Sequence, residues 1–245
     1  MSTACIIIIG NEILSGRTQD VNINWLAVEL NNIGIRLKEA RVIPDIPQAI
    51  IKAVNECRAV YDYVFTTGGI GPTHDDITSE CIAQAFGVPY ARNKEAETIL
   101  TEYYGLENLN EARLRMCTMP EGAALIPNPI SIAPGFSVGN VYVMAGVPGI
   151  MQAMFDHLKH GLTGGKPILS ETVSVFLTEG KIAAELTKVQ ETFPDVEIGS
   201  YPFVREGKLG TSLVARHEDA TRLAEAKAAI VQMVQSFDGE IAKDE

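Results

Sequence analysis

Residues 66–76, Thr66-Thr67-Gly68-Gly69-Ile70-Gly71-Pro72-Thr73-His74-Asp75-Asp76, join a glycine-rich turn to two adjacent carboxylates. The run that leads into them, Tyr63-Val64-Phe65-Thr66-Thr67, is β-branched and aromatic, as suits a buried parallel strand. Glycine allows positive φ and close backbone approach, so Gly68, Gly69 and Gly71 at that strand's carboxyl end suggest amides turned toward an anion. Pro72 stiffens the turn. Ile77, Cys81, Ile82, Ala85 and Phe86 then recur at helical spacing, so the loop delivers Thr73, Asp75 and Asp76 to a helix start. Thr73 or Asp75 could serve as that helix's cap. A cap needs only one acceptor, however, and two neighbouring carboxylates repel unless a cation offsets them. The stretch reads as a phosphate and metal site.

Working outward, strands and helices alternate upstream of it. Cys5 to Ile9 is an isoleucine-rich strand, Val21 to Asn32 a helix with Ile23, Leu26, Ala27 and Leu30 on one face, and Leu37 to Ile43 a second strand. Pro47 to Val60 is a second amphipathic helix, and Tyr63 to Thr67 completes a βαβαβ order. That order builds a parallel sheet covered by helices on both faces, which binds ligands at the carboxyl ends of its strands.

The loop after the first strand, Gly10 to Asp20, emerges on the same edge. It offers Glu12, Ser15, Arg17 and Asp20. Asp20 also stands where a helix cap belongs, and Asn22 could share that position, so the residues alone leave cap and ligand open. Together the two loops present Glu12, Asp20, Asp75 and Asp76 to a hard cation, and glycine amides with Arg17 to phosphate oxygens. Oxygen ligands without histidine or thiolate favour Mg²⁺ or a similar ion over structural zinc. His74 could shuttle a proton or be a solvated loop residue.

Downstream, the Gly87-Val88-Pro89 break precedes a helix-rich stretch to Met116 and a proline-rich region from Pro120 to Pro134. Gly139-Asn140 signals a hairpin between Phe136–Val138 and Val141–Met144, and a helix follows to about His160. Gly161 to Pro167 reads as a linker, which divides the chain into domains 1–165 and 166–245. In the second, strand, helix, two strands and helix follow one another from Leu169 to Phe237, a small α+β unit resembling a split βαβ sandwich that lacks or lends an edge strand. It shows no catalytic clustering, so it reads as an oligomerisation or lid domain.

With 245 residues, 46% hydrophobic and 21% charged, the chain has the composition of a soluble globular protein. Its net charge of −11 is spread along the whole length, which speaks against a nucleic-acid partner. Cys5, Cys57, Cys81 and Cys117 share no zinc or redox spacing and read as core filler in a reduced, cytoplasmic protein. No run approaches the length of a membrane span, so neither membrane insertion nor export is expected.

Four stretches in order, Gly10 to Asp20, Thr66 to Asp76, Ala133-Pro134-Gly135-Phe136 and Gly146-Val147-Pro148-Gly149, resemble the molybdopterin-binding fold of the MoaB/Mog family. Within it they look like the branch of CinA and of the N-terminal part of animal FAD synthase. The likeness spans residues 4 to 160, and residues 168 to 237 are similar to the small domain that follows in that branch. It implies an α/β fold with a three-layer, parallel-type sheet and a small α+β C-terminal domain.

For function, the resemblance implies a divalent-metal-dependent pyrophosphatase (Mg²⁺, Mn²⁺ or Co²⁺) acting on ADP-ribose or an FAD-like dinucleotide. Asp20 and Asp76 match acidic residues of the fold's active site, with Glu12 and Asp75 beside them as further metal ligands and Arg17 offsetting charge. Gly68, Gly69, Gly71, Thr67, Ser15, Pro72 and Thr73 would contact the nucleotide. The alternative is binding or adenylylating a pterin for molybdenum cofactor synthesis, with molybdopterin as ligand; a third reading is a non-catalytic ligand-binding module. Two departures stand out: Asn11 occupies a position where many relatives have Asp, and Ser131-Ile132 replaces the Gly-Thr pair usual before Ala-Pro-Gly. A homodimer or trimer is expected by analogy.

Overall fold

A computed structural model describes residues 2–205 and 207–242. The chain divides into two compact units, Met1–Gly165 and Lys166–Glu245.

The first unit runs β1 (Thr3–Ile9), α1 (Asn11–Leu14), α2 (Asn22–Asn32), β2 (Arg36–Ile43), α3 (Pro47–Val60), β3 (Tyr63–Thr67), α4 (Thr78–Phe86) and β4 (Tyr90–Arg92). It continues with α5 (Lys94–Tyr104), α6 (Glu111–Arg115), β5 (Thr118–Pro120), β6 (Ala124–Ile126), β7 (Gly135–Val138), β8 (Val141–Met144) and α7 (Pro148–Leu158). Six strands form one sheet in the order β2-β1-β3-β8-β7-β6. Its first four strands are mutually parallel, whereas β7 runs against both of its neighbours, so the sheet is mixed.

β1 shows how the sequence makes three layers. Cys5, Ile7 and Ile9 join one core with Ile50, Val54 and Cys57 of α3 and Ile82 of α4. Ala4, Ile6 and Ile8 join the other with Leu26 and Leu30 of α2 and Met151, Met154 and Phe155 of α7. Side chains alternate along a strand, so an unbroken apolar run fills both faces at once. Each fully buried isoleucine removes apolar surface worth roughly 2 kcal/mol in transfer free energy. All four cysteines are buried and free, and Cys5 Sγ lies 3.1 Å from Cys57 Sγ.

This topology positions the loops. β1, β2, β3 and β8 end on one edge, which gathers residues 10–20, Asp45, residues 68–76 and residues 145–147. Two short elements fall outside the sequence expectation: α1 lies in the first loop, and β4 pairs with β5 as a separate two-stranded ribbon, Ala91 opposite Met119.

The second unit comprises β9 (Leu169–Val175), α8 (Glu179–Thr192), β10 (Glu197–Arg205), β11 (Lys208–His217) and α9 (Ala220–Gln235). Its antiparallel sheet has the order β10-β11-β9. Leu223, Ala226, Ile230, Met233 and Val234 recur on one face of α9 and pack with Ile182, Val173, Val175, Leu213 and Ala215. Past α9 the chain returns to β9, where Ile241 bridges Val175, so the missing edge strand is present as a stub. Among the described residues no helix is long and apolar enough to cross a membrane.

Candidate functional site

Gly68 fixes the geometry of the turn that follows β3. Its φ is +102°, and a Cβ there would lie 2.1 Å from the Ile9 carbonyl oxygen, so β3 and β1 can end side by side only with glycine at this point. The Gly68 N–H is donated to Met144 O at 3.2 Å, which brings in β8 and takes this amide away from the anion-binding role expected of it. Gly69 continues at φ +68°, and a Cβ would meet the Thr78 hydroxyl at 2.2 Å. Among the described residues, the N–H groups of Gly69, Ile70 and Gly71 have no acceptor. Three consecutive backbone donors are thus left open to a ligand.

Those donors border a cavity of about 700 Å³. Glu12, Asp45, Asp75 and Asp76 line it together with Gly68 to Pro72, and its apolar wall is built from Ile9, Ile70, Met116, Val147, Ile150 and Met154. Tyr104, Arg113, Asn128 and Ser131 are among its polar lining residues. Thr73 organises the carboxylates. Its N–H donates to Asp76 Oδ2 at 2.8 Å, and its hydroxyl lies 2.6 Å from both Asp75 Oδ1 and Asp76 Oδ2. The hydroxyl hydrogen bond holds the Asp75 carboxyl below its ordinary value.

Other expected residues stand elsewhere. Asp20 accepts the Ile23 N–H at 2.9 Å, which is the capping role, and lies outside the cavity wall. Ser15, Arg17, Thr67 and Thr73 are also outside it: Ser15 Oγ donates to Glu12 O at 3.2 Å, Arg17 is exposed, and Thr67 is buried with a hydroxyl that has no partner among the described residues. Asn22 ties α2 to the edge by donating to Gly146 O at 2.9 Å. His74 is 97% exposed and 4.0 Å from Asp75.

Among the described residues, no three of Glu12, Asp20, Asp75 and Asp76 bring carboxylate oxygens within 4.8 Å of one another. The donor set nevertheless suits a hard divalent cation of the Mg²⁺ kind, which needs only one or two protein carboxylates when substrate phosphates and water complete its shell. Asp75 and Asp76 meet that need, since both reach the same hydroxyl and line the same wall.

Several wall residues were not expected, among them Asp45, Asn128, Tyr104 and Arg113. Asp45 follows the carboxyl end of β2 and accepts the Asn11 N–H at 2.8 Å, so its position past a strand end was a usable signal. Asn128 accepts from the N–H groups of Ile130 and Ser131, both at 3.1 Å, and donates to Ser131 Oγ and Ala133 O at 2.7 and 2.8 Å, which folds the loop before β7. Tyr104 and Arg113 come from α5 and α6, and nothing in their local pattern announces the cavity.

Comparison with known proteins gives two family matches. Residues 5–165 match a family described as a probable molybdopterin binding domain. Residues 167–238 match the FAD synthase middle domain. The chain is 39% identical over 197 residues to a protein of Archaeoglobus fulgidus, an alignment that takes in 80% of this chain and 84% of the other. It is 32% identical over 244 residues to a probable FAD synthase of Caenorhabditis elegans, covering 89% of this chain and 47% of that one, so it spans about half the relative's length. The crystal structure of the protein CinA from Thermoplasma acidophilum, described as of unknown function, aligns with a TM-score of 0.62 and 32% identity over 65% of this chain and 97% of that one.

Proposed function

The chain belongs to the molybdopterin-binding-domain family, in its CinA-like branch, and from that premise we propose that it is a divalent-metal-dependent nucleotide pyrophosphatase that hydrolyses ADP-ribose or an FAD-like dinucleotide. One observation carries the reading. Three amides that have no acceptor among the described residues border the same cavity as four carboxylates, and it is large enough for a nucleotide.

Asp75 and Asp76 would hold the cation, with Glu12 beside them and Asp20 reaching it only through water. Such an ion, when bound, neutralises phosphate charge and lowers the pKa of water. The amides of Gly69, Ile70 and Gly71 donate to the phosphoryl oxygens on which negative charge grows as the anhydride bond breaks. Glu12 accepts the proton of the attacking water. The apolar wall that includes Met116, Ile150 and Met154 would limit water around those groups and so strengthen the interactions.

Incubating the protein with ADP-ribose or FAD and Mg²⁺, Mn²⁺ or Co²⁺, and measuring AMP, tests the assignment. Metal-dependent AMP release that Asp76→Asn lowers by 10²-fold or more, of the order lost with other electrostatic groups, is the expected result. No metal-dependent release, or an unaffected variant, overturns it. Pterin binding or adenylylation is the second reading, favoured by the family match and by the apolar wall, which suits a flat ring. Tight pterin binding without AMP release would select it.

A further inference from the structure

Arg113 is the only Lys, Arg or His among the described residues lining a cavity that also carries four carboxylates. Its placement is built rather than incidental. Asn110 caps α6 by accepting the Arg113 N–H at 3.0 Å. The guanidinium carbon lies 4.1 Å from the centroid of the Tyr104 ring, and Nη1 donates to the Asn108 carbonyl. The ring face and one hydrogen bond position the guanidinium, and its remaining N–H groups have no acceptor among the described residues.

Other cations near the loops lack this combination. Arg17 is exposed and outside the wall, and Arg115 spends a donor on the Asp76 carbonyl at 3.4 Å. The cavity therefore presents two sets of donors suited to an anion: the amides of residues 69–71, which follow β3, and a prepositioned guanidinium on α6. A single phosphate taken up by the three amides leaves the guanidinium unused. A ligand with two linked phosphates has acceptors for both sets.

We infer that Arg113, oriented by Tyr104, is the specificity-determining residue that makes this cavity select ligands carrying two linked phosphates over those carrying one. The inference rests on the nucleotide reading of the cavity, and its test separates the two. Calorimetric titration with Mg²⁺ present uses AMP and α,β-methylene-ADP, whose bridging carbon prevents turnover. Wild-type protein binds the diphosphate analogue about tenfold more tightly, as a charge-assisted hydrogen bond supplies. Arg113→Met brings the ratio to about one while AMP affinity stays within about twofold. Tyr104→Leu, which removes the supporting ring face, lowers the ratio by at least half and stands in for Arg113→Met should that variant fail to fold.

An unchanged ratio in these variants, or a wild type that binds both compounds equally, overturns the role of Arg113 and leaves the hydrolase proposal intact. A wild type that binds neither nucleotide overturns the nucleotide reading itself, and this inference with it. Binding with the expected ratio but no AMP release from ADP-ribose upholds Arg113 and removes only the hydrolase.

Discussion

Thr73 meets Asp76 twice at one oxygen, through its N–H at 2.8 Å and its hydroxyl at 2.6 Å, and the same hydroxyl reaches Asp75. A side chain outside the cavity wall thereby sets the orientation of two carboxylates inside it. Replacing Thr73 with valine keeps the shape and the N–H but removes the hydroxyl. Expected is a 10- to 100-fold loss in metal affinity or activity, the usual cost of losing a group that orients ligands. Titrating AMP release against Mn²⁺ measures it, and an unaltered metal dependence would refute the arrangement.

Gly68→Ala places a Cβ where the Ile9 carbonyl already stands, at a φ of +102°. The clashing atom is backbone, so relief requires β1 and β3 to part. A loss of about 3 kcal/mol or more is expected, at the upper end for backbone strain. Urea denaturation checks it; a midpoint near wild type would show that the turn has another conformation.

Ile132 is a β-branched residue at φ +69°, held in the loop that Asn128 ties together. Ile132→Gly removes that strain, and a gain of about 1 kcal/mol is expected, because the left-handed region costs a side chain roughly 1–2 kcal/mol and glycine returns part of that through its unfolded-state entropy. Thermal unfolding reads the sign directly. Destabilisation would mean that the isoleucine side chain contributes more in packing than its backbone costs.

In the second unit, Arg222 grips Asp195 with Nε at 2.9 Å and Nη2 at 2.8 Å. That hydrogen-bonded fork pulls the Asp195 carboxyl down to about 2. A depressed carboxylate stabilises the fold fully above its unfolded value near 4, and the contribution disappears as pH falls toward 2. Wild type should therefore lose more melting temperature between about pH 4 and pH 2 than Arg222→Met does. Parallel acid limbs in thermal scans would contradict the pairing.

Much of the first unit was legible because its signals are local. Tyr63–Thr67 and Pro47–Val60 are found where apolar period and proline placed them, and Gly139-Asn140 turns the antiparallel hairpin that makes the sheet mixed. β4 escaped because Tyr90–Arg92 is exposed and gains its identity only by pairing with Thr118–Pro120, a partner no periodicity reveals. The site divided along the same line. Glu12, Asp75, Asp76 and the glycines lie next to strand ends, where the topology gathers them, whereas Arg113 and Tyr104 reach the cavity from helices inserted later in the chain. Asp20 shows the limit of motif reading, because cap and ligand demand the same residue type and only geometry separates them.

The close approach at Gly68 also has a temporal side. A Cβ at Gly146 would lie 3.2 Å from Gly68 Cα, as one at Gly68 would meet Ile9 O, so the floor of the cavity joins points separated by over half of the chain. Closing that loop costs somewhat more entropy than closing the shorter β1–β3 loop, so β8 is expected to dock after that pair has formed. A nascent chain released before β8 emerges has every acidic residue and glycine of the two loops, yet no cavity in which they can act together. Acquisition of ligand binding during refolding thus reports docking of β8, not formation of the β1–β3 pair that carries the motifs.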